Sequence, residues 1–329
     1  MASALGARDL FKLVRQGIDV RSVQAHTRKP FRFLLCGDPA LIAELRTLLL
    51  SGHAGDAIPL DSAACLETIV PGATTIGEPG EVRATIFLGR RGDLAGADIA
   101  SLKLLKVPLL ALTVDADSPA SGPSPPAPGA WAEYVVPAIA RDALRGRVFP
   151  HLVECARGVE IAVGRRLPCL REAVAAKLTR DAAGSALKVS LASAVVDHIP
   201  VVGLVLGAFA SAGDMVAITG IQIVLMLHIE AAYGRDPDLQ RIWQLLPIVG
   251  GGFGWRTLAR ELSGFIPVAG IAIKGAIAYA GTIVVGESVT FFLEHGHHMT
   301  RGQAAKIFET TKRDAMKFAR DLVGRFRKD

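Results

Sequence analysis

The chain has 329 residues, long enough for two or three domains of ordinary size and a sizeable core. Half of it is hydrophobic and 21% charged, and the mean hydropathy of +0.37 excludes a disordered chain. The 37 basic and 31 acidic residues leave a net charge of +6, too mild an excess to mark a nucleic-acid binder.

Cys36, Cys65, Cys155 and Cys169 include no CxxC pair, so the sequence offers neither a zinc site nor a redox motif. Reduced thiols in a cytosol-facing protein are expected. The first eight residues, Met1 to Arg8, lack the basic start and apolar core of a secretory signal.

Residues 1–29 read as an N-terminal amphipathic helix with a basic trailing end. Leu10, Phe11, Leu13, Val14 and Ile18 form its apolar side, suited to docking or to a membrane surface. Residues 30–150 then read as an α/β domain. Apolar runs at Phe31–Cys36, Ala84–Leu88 and Val107–Val114 alternate with helical stretches at Ala40–Leu50 and up to Leu105. Such alternation predicts βαβ units and a parallel sheet. Ser118–Gly129 is a Pro/Gly/Ser-rich loop, and Tyr134–Pro137 offers one more strand.

No strand signal remains beyond about residue 138. Helices are expected at Ala138–Ala156, Leu170–Leu191, Ile199–Tyr233 and Arg301–Phe326. These divide into connecting helices over 151–186, a helical domain over 187–296 and a basic tail over 297–329. The helical domain repeats itself: Ile199-Pro200-Val201-Val202-Gly203 and the Gly207 that follows correspond to Ile266-Pro267-Val268-Ala269-Gly270 and Gly275. Proline fits the first turn of a helix, and small residues every four positions let helices approach closely.

The same repeat raises the question of a bilayer. Ile199–Gly213 is uncharged for 15 residues, about 22 Å of helix against a hydrocarbon core of roughly 30 Å. Extending it crosses Asp197 or Asp214, each costing roughly 2.5–3.5 kcal/mol at a helix centre. Gly264–Gly286 runs 23 residues with Lys274 as its single charge. The tail carries nine basic and four acidic residues, a pattern suited to an anionic leaflet, to solvent or to a partner.

A phosphate-binding loop of the form GxxxxGK[ST] would follow the first strand. The turn there reads Gly37-Asp38-Pro39-Ala40-Leu41-Ile42-Ala43-Glu44, without lysine or hydroxyl at the required places. At the end of the third strand, Asp115 is preceded by Leu112 and Thr113 where a guanine-reading NKxD segment has asparagine and lysine. Glu294, His295, His297 and His298 lack further ligands at metal spacing. No cofactor, metal or catalytic constellation is expected, and nucleotide binding is disfavoured.

At the helical repeat the sequence resembles the YcjF-like domain of unknown function. That helical module is found after Era-like GTPase domains and in bacterial inner-membrane proteins. Arg166–Arg171, Ile199–Gly203, Asp214–Gln222, Leu246–Arg256, Ile266–Gly270 and Ala278–Gly281 carry the likeness, over roughly residues 165–295. The resemblance implies a degenerate, P-loop-less GTPase-like α/β domain before an all-α domain of repeated Gly/Ala-rich helices. The family has no assigned reaction to carry over; the apolar repeat, the basic tail and the degenerate phosphate loop together lead us to expect a non-catalytic scaffold at the bacterial inner membrane, mostly facing the cytoplasm and binding a protein partner or itself. The rival expectation is a soluble, nucleotide-responsive GTPase-like enzyme with a helical regulatory domain. Ile199, Pro200, Gly203, Gly207, Asp214, Ile266, Pro267, Gly270 and Gly275 are the expected helix-packing and membrane motif.

Overall fold

The computed structural model describes residues 18–52, 58–70, 79–93, 99–123, 131–195, 214–239 and 269–326. The chain divides into two units. One comprises Gln24–Lys177 with Ala231–Asp236; the other comprises Met1–Val23, Leu178–Glu230 and Pro237–Asp329.

The first unit is built on a five-stranded sheet. After α1 (Val20–Thr27) come β1 (Arg32–Gly37), α2 (Pro39–Leu50), β2 (Leu66–Thr68), β3 (Val82–Arg90), α3 (Ile99–Lys103), β4 (Leu109–Val114) and β5 (Ala132–Val136). The strand order is β2-β1-β3-β4-β5 and every neighbouring pair is parallel. This is one of the two common doubly wound orders, and its order reverses between β1 and β3. Phe33, Leu34, Leu35 and Cys36 are buried in succession, as are Leu109 to Leu112. A strand buried on both faces has no polar alternation. Each fully buried leucine among them contributes roughly 1.5–3 kcal/mol.

The strand–helix alternation therefore predicts the sheet correctly, while several elements differ from expectation. Leu66-Glu67-Thr68 forms an edge strand that the sequence does not announce, held by an Arg46 donation to the Leu66 carbonyl (2.5 Å) and by Arg32 on Glu67 (2.6 Å). The expected helix over 138–156 is two, α4 (Arg141–Leu144) and α5 (Val148–Cys155). A further helix, α6 (Glu160–Arg166), follows. The described start of the Pro/Gly/Ser-rich loop turns back on the sheet, where Ser121 bridges antiparallel to Val135.

The second unit is helical. It takes in most of α7 (Arg171–Val195) and α8 (Asp214–Ala232), then α9 (Ala269–His295) and α10 (Arg301–Phe326). A short link joins α9 to α10. Gly296 closes α9 by donating its amide to Phe292, and Thr300 and Gln303 form a reciprocal capping box at the head of α10. The two helices then pack through Ile277, Ala280 and Val284 of α9 against Ala304 and Phe308 of α10. Gln222 of α8 donates to Thr282 of α9 (3.3 Å), and Ala186, Ile218 and Ala278 join α7, α8 and α9. Within α9, Gly275–His295 is long and apolar enough to cross a membrane, and 61% of its most apolar window is buried inside the protein.

Candidate functional site

In open α/β sheets ligands bind at the carboxyl ends of the strands, at the point where the strand order reverses. Here that point is the crest over β1 and β3, made by Gly37 and Asp38 at the end of β1, Arg90 to Asp93 at the end of β3, and Asp115 after β4.

The turn between β1 and α2 is minimal. Gly37 has φ +111°, a left-handed conformation, and pairs with Leu88, whose carbonyl accepts from the Asp38 amide at 2.8 Å. Pro39 then opens α2 at a position where no amide is needed. Asp38 caps this helix: Oδ1 accepts from the amides of Ala40 (2.8 Å) and Leu41 (3.4 Å). Those amides hold the Asp38 carboxyl below the usual carboxylate range, and Arg90, at 3.4 Å from Oδ2, acts in the same direction. A phosphate at this turn would need those same amides. They are already engaged by a side chain of the turn itself.

The rest of the crest is likewise paired internally. The Arg90 amide donates to Asp93 at 2.6 Å. Asp115 accepts from the Ser118 hydroxyl (2.8 Å) and the Asp117 amide (3.2 Å), with Arg91 at 3.4 Å. The Ser118 hydrogen bond is the largest cause of its lowered pKa. Asp115 thus closes its own turn, and buried Leu112 and Thr113 precede it. The crest thus carries three carboxylates, Asp38, Asp93 and Asp115, against two guanidiniums, Arg90 and Arg91.

No thiolate is available nearby. Burial pushes Cys36, Cys65 and Cys155 up to about 12 and raises Cys169 as well. Among the described residues no group of three or more His, Cys, Asp or Glu is placed to hold a metal ion. His295 stacks on Phe291 (4.2 Å between ring centres) and His298 on Phe292 (5.0 Å).

Of the expected packing motif, Ile199, Pro200, Gly203, Gly207, Ile266 and Pro267 lie outside the described residues. Asp214 is the first residue of α8, and Gly270 is the second of α9. Gly275 lies on α9 where an added Cβ would come 2.7 Å from Leu187 of α7. Its partner in the packing, Gly286, carries no signal in the repeat.

The sequence also gives no sign of a buried polar pair. The Tyr134 hydroxyl on β5 meets Nδ1 of His151 on α5 at 2.7 Å, and His151 is wholly buried. Its Nε2 is buried without a hydrogen-bond partner among the described residues. Burial lowers the His151 pKa, against a smaller opposing effect of Glu154. The unfolded chain therefore takes up a proton below about pH 6.5 that the folded chain refuses. Stability is complete above that pH and falls as the pH drops through the interval down to the folded pKa, by at most about 1.4 kcal/mol per pH unit. Urea unfolding between pH 7.5 and 5 is expected to show this loss and His151→Gln to flatten it. An unchanged slope in the variant would assign the loss elsewhere.

No family model, curated protein or solved structure matches this chain.

Proposed function

We propose that the protein is a non-catalytic, membrane-associated scaffold whose α/β unit has a GTPase-like layout with a closed nucleotide crest. The observation that carries the reading is the Asp38 carboxylate on the first amides of α2, at 2.8 and 3.4 Å, where a nucleotide phosphate would otherwise sit. With Asp38 alone between strand and helix, no loop is left to wrap a phosphate chain. Burial that raises the Cys36 and Cys65 thiols agrees with a binding rather than a chemical role.

Membrane association rests on the helical unit. Gly275–His295 has the length and apolarity of a span. Beside it runs α10, basic and amphipathic over Arg301–Phe326. A helix carrying several charges is expensive at mid-bilayer, roughly 2.5–3.5 kcal/mol for each basic residue. The pair is better served at the inner leaflet of a bacterial membrane, with the basic residues of α10 on anionic headgroups. The α/β unit then serves a cytosolic protein partner or a second copy.

Two measurements test the reading. Calorimetry of the full chain with GTP, GDP and ATP plus magnesium is expected to show no guanine-selective binding. Micromolar binding of GTP or GDP in preference to ATP would favour the rival, a soluble nucleotide-responsive enzyme. Fractionation of expressing cells is expected to place the chain with membranes. Release by high salt would assign attachment to α10, and retention through carbonate would assign it to inserted apolar helix. Recovery as a soluble monomer without detergent overturns the membrane reading.

A further inference from the structure

Opposite the crest, at the amino ends of the strands, the α/β unit has an open cavity of about 330 Å³ lined by Lys29, Glu81, Arg83, Arg157 and Gly158, among others. Arg83 is placed there by an irregularity of the sheet. Arg32 pairs with Val82 and Phe33 with Ala84, so Arg83 is the extra residue of β3 with no counterpart on β1. Bulges of this kind redirect a side chain and are common beside binding sites. The Arg83 Nε is shut off from solvent and has no hydrogen-bond acceptor among the described residues. A buried donor left in that state is costly unless something outside the chain satisfies it.

The other charges around the cavity are distributed to the same effect. Glu81 is 3.6 Å from Arg32, which also holds Glu67 at 2.6 Å. Arg157 faces Glu154 only at 3.8 Å, while the buried Lys177 holds that carboxylate at 3.4 Å. The Lys29 ammonium spends one donor on the Gly158 carbonyl (3.0 Å) and has two left. Three cations thus surround a space with a single carboxylate, itself already paired. We propose that this cavity binds the phosphate group of a small phosphorylated molecule. Its volume lies at the lower end for small-molecule sites, and forked guanidiniums suit a phosphate's oxygens.

Inorganic pyrophosphate, which carries the charge and no base, is the probe. Calorimetry of the full chain at low salt should show saturable one-site binding that weakens as salt rises. Arg83→Gln should weaken it about tenfold or more, as loss of a charge-assisted hydrogen bond does. Arg157→Gln changes an exposed side chain and should weaken it about threefold with an unchanged melting curve. Arg91→Gln, at the crest, should leave it as it is. Should Arg83→Gln fail to fold, Arg157→Gln decides alone. No saturable binding, equal binding by the cavity variants, or an equal loss in Arg91→Gln would overturn the proposal.

Discussion

Gly37→Ala should unfold the α/β unit or cost it more than about 4 kcal/mol, a large part of the 5–15 kcal/mol that holds a domain together. Two penalties coincide at this residue. Its φ of +111° is a conformation that side chains rarely adopt, worth about 1–3 kcal/mol by itself. An added Cβ would also overlap the Leu88 carbonyl oxygen of the neighbouring strand. That oxygen cannot retreat, because it accepts from the Asp38 amide and belongs to the β1–β3 ladder. Relief would require parting two central strands. Gly92→Ala separates the penalties, since Gly92 also has positive φ (+95°) but nothing within 4 Å of the added carbon. It should cost only about 1 kcal/mol. Urea unfolding of both variants measures the difference, and similar costs would show that the approach to Leu88 is tolerated.

The same turn shows how far the sequence can be read. Strands β1, β3 and β4 are legible because each is a short apolar run bounded by turn residues and buried on both faces, while β5 alternates, with Glu133 exposed between buried Ala132 and Tyr134. The missed strand, Leu66-Glu67-Thr68, buries only Leu66 and is held by arginines 20 and 35 residues from the residues they bind. No local window contains that information. Helix α6 is short, and Gly164 within it is explained only by Ala232, whose Cβ an added carbon would meet at 2.9 Å. At the crest the absence of a phosphate loop is legible from residue types alone. That Asp38 itself takes the helix amides depends on a rotamer and on its being the single residue between strand and helix. Arg83 is illegible for a different reason. A bulge is a property of two strands in register, and in sequence Arg83 is one more basic residue at a strand's start.

The helical unit carries the other large effect, at a glycine that the internal repeat does not mark. Gly275 and Gly286 are eleven residues apart on α9, three turns of helix, so they share a face. Opposite them stand Leu187 with Leu191, and Thr179, in descending order along α7. The two helices are therefore antiparallel and in close contact over about 16 Å. The two positions differ in what an added carbon meets. At Gly275 it meets the ends of two leucine side chains, which can turn aside; at Gly286 it overlaps the Thr179 hydroxyl and comes within 2.8 Å of its Cβ. Threonine is branched at that atom and has little freedom on a helix. Gly275→Ala should accordingly be near neutral, its packing cost offset by the gain of up to about 1 kcal/mol in helix propensity. Gly286→Leu should destabilise the helical unit by about 3 kcal/mol, at the upper end for overpacking. Hydrogen exchange should localise the damage, with faster exchange in α7 beyond Leu178 and in α9, and unchanged protection in β1, β3 and β4. Slow exchange retained throughout α9 of Gly286→Leu would mean that the α7–α9 contact does not hold this unit together.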